Sequence, residues 1–237
     1  MRILAFRDIY NWRGYKELVD RIQPDVVVLA GDLTSDGFVS YKFGYPILDK
    51  YRETARKEHV TKFYQFLRYA GHRSKVVVVK GNHDEEFEDA YVPGKISRIS
   101  GCKEISGKTI DIEGLRLLGL GFRDTYYLKV LRSIIQEFKE KVDVVIMHGI
   151  RIRLVSQLRP IIIIRGGYID GKFLVHDVPS VWNGFLTYTI LELEDRRISQ
   201  ILQFKIGSDE PLQVRENYNR RLEAQLGRYE WLKPYLS

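Results

Sequence analysis

Polar side chains that can bind a metal ion follow three strongly apolar stretches of the chain. Asp32 follows "DVVVLAG", His148 follows "DVVIM", and Asn82, His83 and Asp84 follow "KVVVVKG". Uninterrupted apolar stretches are typical of strands that are buried on both faces of a parallel sheet. In open α/β sheets, ligands bind beyond the carboxyl ends of the strands. These side chains are therefore predicted to meet at one sheet edge, where oxygen donors and an imidazole suit a divalent cation.

Arginine residues stand at the ends of other predicted strands. Arg7 follows "RILAF", Arg123 follows "RLLGLGF", and Arg165 ends "IIIIR". A guanidinium group binds phosphate through two parallel hydrogen bonds and needs no metal to do so. We therefore expect Arg7, Arg123 and Arg165 to bind a phosphate group beside the metal site.

Several other polar residues have simpler structural interpretations. Asp8 is suited to cap a helix, and Asp124 is predicted to cap the helix at 125–139 rather than to bind metal. His59 and His72 are predicted to lie on the surface or at a helix end.

Apolar periodicity predicts strands that alternate with helices. The predicted strands are 2–6, 25–30, 75–80, 143–147, 161–165, 172–176, 185–195 and 197–206. The predicted helices are 14–22, 50–70, 125–139 and 212–226, and the glycine-rich segment 96–121 is predicted to form short antiparallel strands. The pattern indicates an α/β fold with two packed sheets and helices outside them. We expect one domain, 1–237, with a helical extension at 209–237.

The segments "AGDLTSDG", "KGNHDE" and "IMHG" together resemble the motifs of the calcineurin-like metallophosphoesterase family, and they occur in that family's order. The Gly-Asn-His-Asp sequence after a valine strand is the most specific of them. The resemblance extends from residue 1 to about residue 195. It implies a four-layer α-β-β-α sandwich of two mixed sheets flanked by helices. It also implies hydrolysis of a phosphomonoester or phosphodiester by in-line attack of a metal-bound hydroxide.

The resemblance implies a role for each matching residue. Asp32 matches a carboxylate that bridges two metal ions, and Asp8 matches a ligand of the first ion. Asn82 and His148 match ligands of the second ion. His83 matches a histidine that hydrogen-bonds the leaving group and can act as a general acid. The residues with a catalytic assignment are His83 and Asp84.

The chain departs from the family motifs at three positions. Tyr10 replaces a histidine of the first motif, and Tyr168 and Asp170 replace both histidines of the last. Tyrosine is a poor ligand because its phenol, with a pKa near about 10, must first lose a proton. Asp170 can bind a hard cation through oxygen, which favours Mn²⁺ or Mg²⁺ over Zn²⁺. Occupancy by one ion, two ions or none stays open.

Two functions remain open at this point. The first is a metal-dependent phosphoesterase, and the second is a non-catalytic relative that binds phosphate, a nucleotide or a protein partner. The retained ligand residues favour the first, and Tyr10 and Tyr168 favour the second. The sequence does not indicate the class of phosphorylated substrate or the oligomeric state.

Composition and charge limit the partners and the location that we expect for the protein. The formal net charge of +7 suits an anionic substrate, and the basic 212–226 segment leaves nucleic acid open without an aromatic-basic motif to support it. No apolar stretch is long enough to span a bilayer, and the first residues lack the apolar core of a signal peptide, so we expect a cytoplasmic protein that does not bind membranes. Cys102, the only cysteine, is predicted to be a structural residue. Few Cys and Met residues among many charged ones favour a thermophilic source.

Overall fold

Two β-sheets supply the strand ends at which the polar motifs stand. The computed structural model describes residues 1–7, 9, 12, 14–33, 49–85, 93–139, 141–149, 151–166 and 187–205. Within these ranges the strands are β1 Arg2–Phe6, β2 Val26–Ala30, β3 Lys75–Val79, β4 Cys102–Glu104, β5 Lys108–Ile112, β6 Leu115–Leu120, β7 Val144–His148, β8 Ile162–Gly166, β9 Thr187–Glu194 and β10 Arg197–Lys205. The helices are α1 Tyr15–Ile22, α2 Asp49–Gly71, α3 Asn82–Glu85, α4 Pro93–Ile96, α5 Phe122–Tyr126, α6 Leu128–Phe138 and α7 Ile152–Val155, followed by a 3₁₀ turn at Ser156–Leu158.

The sheets place the carboxyl ends of their central strands at a common edge. The first sheet has the order β10-β9-β1-β2-β3-β4, and the neighbours from β1 to β4 are parallel. The second has the order β5-β6-β7-β8, in which β6, β7 and β8 are parallel and β5 pairs antiparallel with β6. Strand β2 packs against β7 and β8, and β3 packs against β6 and β7. The end of β7 therefore lies opposite the ends of β2 and β3.

Three hydrophobic clusters separate four layers. In β2, Val27 and Leu29 pack with the apolar faces of α1 and α2, whereas Val26, Val28 and Ala30 pack against the second sheet. A third cluster lies between the outer face of the second sheet and α6. Both faces of the central strands are buried, which explains their continuous valine runs. The α/β fold, with its two mixed sheets and flanking helices, confirms the prediction.

The segment 96–121 differs from its predicted antiparallel arrangement. Strands β5 and β6 form an antiparallel hairpin, whereas β4 pairs parallel with β3 at the edge of the first sheet. The chain crosses between the sheets after β4, so the two strands on either side of the crossing cannot pair with each other. The prediction was wrong for β4 and correct for the hairpin.

The predicted single helix at 125–139 is two helices, α5 and α6. Tyr127 separates them, with an extended backbone at φ −83° and ψ 106°. Helix α5 begins earlier than predicted, at Phe122, because the Asp124 carboxylate accepts the Gly121 N–H. The predicted capping role of Asp124 therefore belongs to α5.

Some predictions concern residues outside the described ranges. The strand at 172–176, the helix at 212–226 and the extension at 209–237 are among them. The single domain therefore stays a prediction. Within the described ranges, every helix is too short or too polar to cross a bilayer.

Cys102 is a structural residue in the first sheet. Its side chain is buried beneath α2, and its Sγ donates to the Leu67 carbonyl at 3.3 Å. Burial raises the pKa of the thiol to about 12. A thiol in this environment carries almost no thiolate at neutral pH, so it lacks the nucleophilic form.

We predict that Cys102 resists thiol reagents in the native protein because the thiol is both buried and protonated. Labelling by a chromogenic disulfide at neutral pH should be slow in buffer and rapid in denaturant, which provides the control. Fast, complete labelling of the native protein would contradict this placement.

Candidate metal centre

Three polar side chains from both sheets converge at the common edge. The His148 Nε2 atom lies 2.9 Å from Asn82 Oδ1 and 3.5 Å from Asp32 Oδ2. Asp32 and His148 are buried, and Asn82 is partly buried. Asp32 follows β2, Asn82 follows β3, and His148 ends β7. Two elements of the first sheet and one of the second thus supply the donors.

The orientation of the His148 ring makes Nε2 available as a metal ligand. Its Nδ1 lies 3.0 Å from the Ala30 carbonyl oxygen, which accepts the Nδ1–H. A neutral imidazole that donates from Nδ1 carries a lone pair on Nε2. Backbone acceptors hold metal-binding histidines in this way in many proteins.

The donor atoms fit a divalent cation. Nε2 of His148, Oδ1 of Asn82 and Oδ2 of Asp32 all present lone pairs to one region, and these repel one another unless a positive charge lies among them. A rotated Asn82 amide would relieve only the contact between the ring and the amide. A proton on Nε2 or a metal cation would relieve all three. Ligands at right angles around Mg²⁺ lie about 3 Å apart, since Mg–O bonds are about 2.0–2.1 Å, and the observed spacings are similar.

Two glycines allow this close approach. A Cβ on Gly31 would lie 2.3 Å from His148 Nδ1, and a Cβ on Gly81 would lie 2.1 Å from Asp32 Oδ1. Any side chain at either position would displace a donor residue. Gly31 also has a left-handed backbone, with φ at +89°. Gly81 is required because a Cβ there would occupy the space of the Asp32 carboxylate.

The backbone of Asp32 is itself left-handed, with φ at 55°. This conformation costs a residue with a side chain about 1–2 kcal/mol, although Asp tolerates it better than most. The Asp32 carbonyl accepts the Ile9 N–H at 3.0 Å, which ties this turn to the segment after β1. Such conformations persist where surrounding contacts hold them, and they concentrate at functional sites.

Asp84 joins the turns that carry Asp32 and Asn82. One oxygen of its buried carboxylate accepts the Leu33 N–H and the other accepts the Gly81 N–H, both at 2.8 Å. The described contacts give Asp84 a positioning role. The catalytic role assigned to it stays a prediction.

His59 is buried, and the prediction that it lies on the surface or at a helix end was wrong. It faces inward from α2, where Nε2 accepts the Trp12 Nε1–H at 3.1 Å and lies 2.9 Å from the Leu33 carbonyl oxygen. The helical periodicity of α2 gave no sign of this, because the partners come from distant loops. His72 is exposed just beyond α2, as predicted.

Helix α5 supports His148 from the second sheet. The Thr125 hydroxyl lies 3.1 Å from the His148 carbonyl oxygen, and a Cβ on Gly149 would lie 2.0 Å from that hydroxyl. The Phe122 N–H donates to the Lys80 carbonyl at 3.1 Å, which joins α5 to the end of β3. Burial raises the pKa of Asp124, the residue that caps α5.

The arginines are distributed unevenly at this edge. Arg7 is partly buried after β1, and Arg123 is exposed on α5. Arg151 is an arginine that sequence reasoning missed; it lies partly buried after β7, and its Nη2 donates to the Tyr126 carbonyl at 3.4 Å. Its position three residues after His148 was the available signal. The Arg165 side chain lies outside the described part of the chain, and the phosphate-binding roles of Arg7, Arg123 and Arg165 stay predictions.

Several predicted site residues cannot be placed. Asp8, Tyr10, Tyr168 and Asp170 lie outside the described residues, as does the His83 side chain. Among the residues that the structure does describe, no three His, Cys, Asp or Glu side chains gather around a common point. The third donor beside Asp32 and His148 is therefore the amide of Asn82.

We predict that His59 makes the protein less stable as the pH falls. Burial is the largest influence on its pKa and lowers it, while the Leu33 carbonyl, which would accept a hydrogen bond from a proton-bearing Nε2, and the charge of Asp84 act in the opposite direction. The folded state favours the neutral ring, so its contribution is present above the unfolded pKa of about 6.5 and is lost as pH falls through the lower folded value. Between the unfolded and folded pKa values, the free energy of unfolding should fall by up to about 1.4 kcal/mol for each unit that the pH falls.

Denaturant titrations from neutral to acidic pH measure this dependence. His59→Gln should flatten it, since Gln cannot gain a proton, and His72→Gln provides an exposed control. An equal acid dependence in the wild type and His59→Gln would contradict the prediction.

We predict that Asp84→Asn destabilises the protein by about 1–3 kcal/mol, because one of two buried backbone N–H groups loses its acceptor. Denaturant unfolding measures the change. Asp111→Asn is the matched control, since the Asp111–Arg116 pair is exposed and should contribute at most about 1 kcal/mol. Similar losses in both variants would contradict the positioning role.

Comparison with known proteins places the chain in a family. The sequence pattern of the calcineurin-like phosphoesterases matches residues 1–233. The solved structure of TT1561 of Thermus thermophilus is similar, with 12% identity, a TM-score of 0.57, and coverage of 86% of this chain and 98% of that one. The phosphoesterase YfcE from E. coli has 14% identity, a TM-score of 0.39, and coverage of 87% and 100%.

At 12% identity, the likeness to TT1561 shows the fold alone. No curated protein matches the chain. The family assignment rests on the sequence pattern, which extends over nearly the whole chain. The chain therefore belongs to the calcineurin-like phosphoesterase family.

Proposed function

We propose that the chain is a metal-dependent phosphoesterase that hydrolyses a phosphomonoester or a phosphodiester. One observation carries the proposal: Asp32, Asn82 and His148 direct lone pairs to one region at the common sheet edge. Membership of the calcineurin-like phosphoesterase family supports the same class of reaction.

The donor residues would hold the cation, which when bound supplies a Lewis acid and a nucleophile from water near neutral pH. Asp32 follows β2, which lies between β1 and β3 in the first sheet, and this central place suits the predicted bridging role. Asp84 and Thr125 hold the backbones of the donor residues in position. His83 follows Asn82 directly in α3, and we assign it the role of general acid toward the leaving group.

Mn²⁺ or Mg²⁺ is the cation that this donor set favours over Zn²⁺. Two of the three described donors are oxygen atoms, and the two further ligands that we propose, Asp8 and Asp170, would add carboxylates. Hard cations prefer oxygen ligands, whereas Zn²⁺ prefers nitrogen and sulfur. Whether one or two ions bind is part of the test.

A non-catalytic function is the second candidate. Tyr10 and Tyr168 replace histidines of the family motifs, and a site with fewer ligands could bind a phosphate group or a partner without hydrolysis. A cytoplasmic location is proposed for either function.

The experiment is hydrolysis of glycerol phosphate by metal-stripped protein with added Mn²⁺. We expect phosphate release that a chelator abolishes. Asp32→Asn should reduce the rate at least about 100-fold, because the loss of a residue that only supports a metal ligand already reduces metal affinity or activity about 10–100-fold. His83→Ala should also lose activity, so that any rate it retains marks contamination. Asp111→Asn changes an exposed ion pair on β5 and should retain the wild-type rate.

No hydrolysis by the wild type with Mn²⁺, Mg²⁺ or Zn²⁺ across phosphomonoesters and phosphodiesters would refute the catalytic function. Phosphate binding without hydrolysis would then favour the second candidate.

A further inference from the structure

Three aromatic side chains form an exposed corner at the beginning of the α5–α6 pair. Phe122 and Tyr126 lie on one face of α5, with ring centroids 5.4 Å apart and ring planes at 31°. Tyr127 stands perpendicular to Tyr126, with centroids 5.2 Å apart and planes at 89°. Tyr126 is 56% exposed and Tyr127 is 55% exposed. We call Phe122, Tyr126 and Tyr127 the aromatic corner.

Two hydrogen bonds link the helix that carries the aromatic corner to the strand ends of the candidate metal centre. The Phe122 N–H donates a hydrogen bond to the carbonyl of Lys80, which precedes Gly81 and Asn82. Thr125, the residue before Tyr126, contacts the His148 carbonyl. Tyr126 follows Thr125 directly, and consecutive Cα atoms are about 3.8 Å apart. The Tyr126 backbone therefore lies next to a residue that contacts His148.

Cationic residues outnumber acidic ones in the sequence segment that carries the aromatic corner. Between residues 122 and 132 the cationic side chains are Arg123, Lys129 and Arg132, all exposed. The one acidic residue in that stretch, Asp124, accepts the Gly121 N–H. Arg151 adds a guanidinium group that donates to the Tyr126 carbonyl.

The fold does not account for this exposure. Helix α6 buries Leu131, Ile134 and Ile135, and the single helix predicted at 125–139 would include Tyr127. The structure places Tyr127 before the first residue of α6, where its side chain is exposed. Adjacent exposed aromatic rings near a polar site are typical of ligand recognition.

We propose that the aromatic corner binds a nucleobase, so that the substrate of the phosphoesterase is a nucleotide or a single-stranded nucleic acid. A nucleotide joins a flat π-system to a phosphate through a pentose, which matches aromatic rings and cations beside a phosphoester site. Every base has a face that stacks on an aromatic ring, and cationic side chains attract the phosphates. Two rings at right angles offer one face for stacking and an edge for contact. The inference rests on the proposed function and adds the substrate class.

The test is equilibrium binding to the full chain with Mn²⁺, by calorimetry, with every protein carrying His83→Ala so that the probes bind without being hydrolysed. The probes are adenosine 5′-phosphate, ribose 5-phosphate, which lacks the base, and a short single-stranded oligothymidylate. The variants are Tyr126→Leu, which removes the ring, and Tyr126→Phe, which retains it. Because the ring is exposed, both variants should unfold at the wild-type denaturant concentration.

Wild type and Tyr126→Phe should bind adenosine 5′-phosphate at least about fivefold more tightly than Tyr126→Leu does, as expected for one stacked base. Ribose 5-phosphate should bind all three proteins equally. If Tyr126→Leu loses more affinity for the oligothymidylate than for the mononucleotide, the ligand is a single strand. If it loses more affinity for the mononucleotide, the ligand is a free nucleotide.

The inference is overturned if Tyr126→Leu binds adenosine 5′-phosphate as the wild type does, or if ribose 5-phosphate binds the wild type as tightly. Tighter binding of phosphotyrosine than of either nucleotide probe would also overturn it, as would a wild-type dimer that Tyr126→Leu converts to a monomer. Intact nucleotide binding together with no hydrolysis of any phosphomonoester or phosphodiester, nucleotides included, would overturn the proposed function instead.

Discussion

The candidate centre depends on one hydrogen bond between the sheets, from His148 Nδ1 to the Ala30 carbonyl. His148, which donates this hydrogen bond, belongs to β7 of the second sheet, and Ala30, which accepts it, ends β2 of the first. This bond selects the ring tautomer that leaves a lone pair on Nε2, and it sets the distance of Nε2 from Asp32 and Asn82. A single hydrogen bond contributes about 0.5–1.5 kcal/mol, so it cannot hold the sheets together by itself. The apolar core between the sheets brings them together, and the bond aligns their edges.

The surrounding turns meet that requirement through close packing and through hydrogen bonds to buried backbone groups. Gly31 and Gly81 leave room for the ring and the carboxylate, and both Asp84 oxygens accept buried backbone N–H groups. Leaving such a buried group without a partner costs about 1–3 kcal/mol, which is comparable to the cost of the left-handed Asp32 backbone. The hydrogen bonds of Asp84 and of the Ile9 N–H thus offset the conformational cost of Asp32, whose carboxylate points into the site.

Much of this arrangement could be predicted from the sequence, because valine-rich strands and polar strand ends have clear local signals. The fold class, the central strands and the convergence of Asp32 with Asn82 and His148 follow from such signals. The roles of His59 and the aromatic corner could not be predicted, because they depend on contacts between distant segments. The helix predicted at 125–139 includes Tyr127, whereas the structure interrupts that helix at Tyr127. Periodicity likewise could not show that β4 returns to the first sheet while β5 begins the second.

The central claim is that Asp32, Asn82 and His148 share one cation. Calorimetric titration of the metal-stripped protein with Mn²⁺ tests it most directly. We expect binding by the wild type that weakens at least about tenfold in Asp32→Asn and in His148→Ala, with the double variant little worse than either, because both remove the same ion. Equal Mn²⁺ affinity in the wild type and both single variants, or no binding at millimolar Mn²⁺, would contradict the claim.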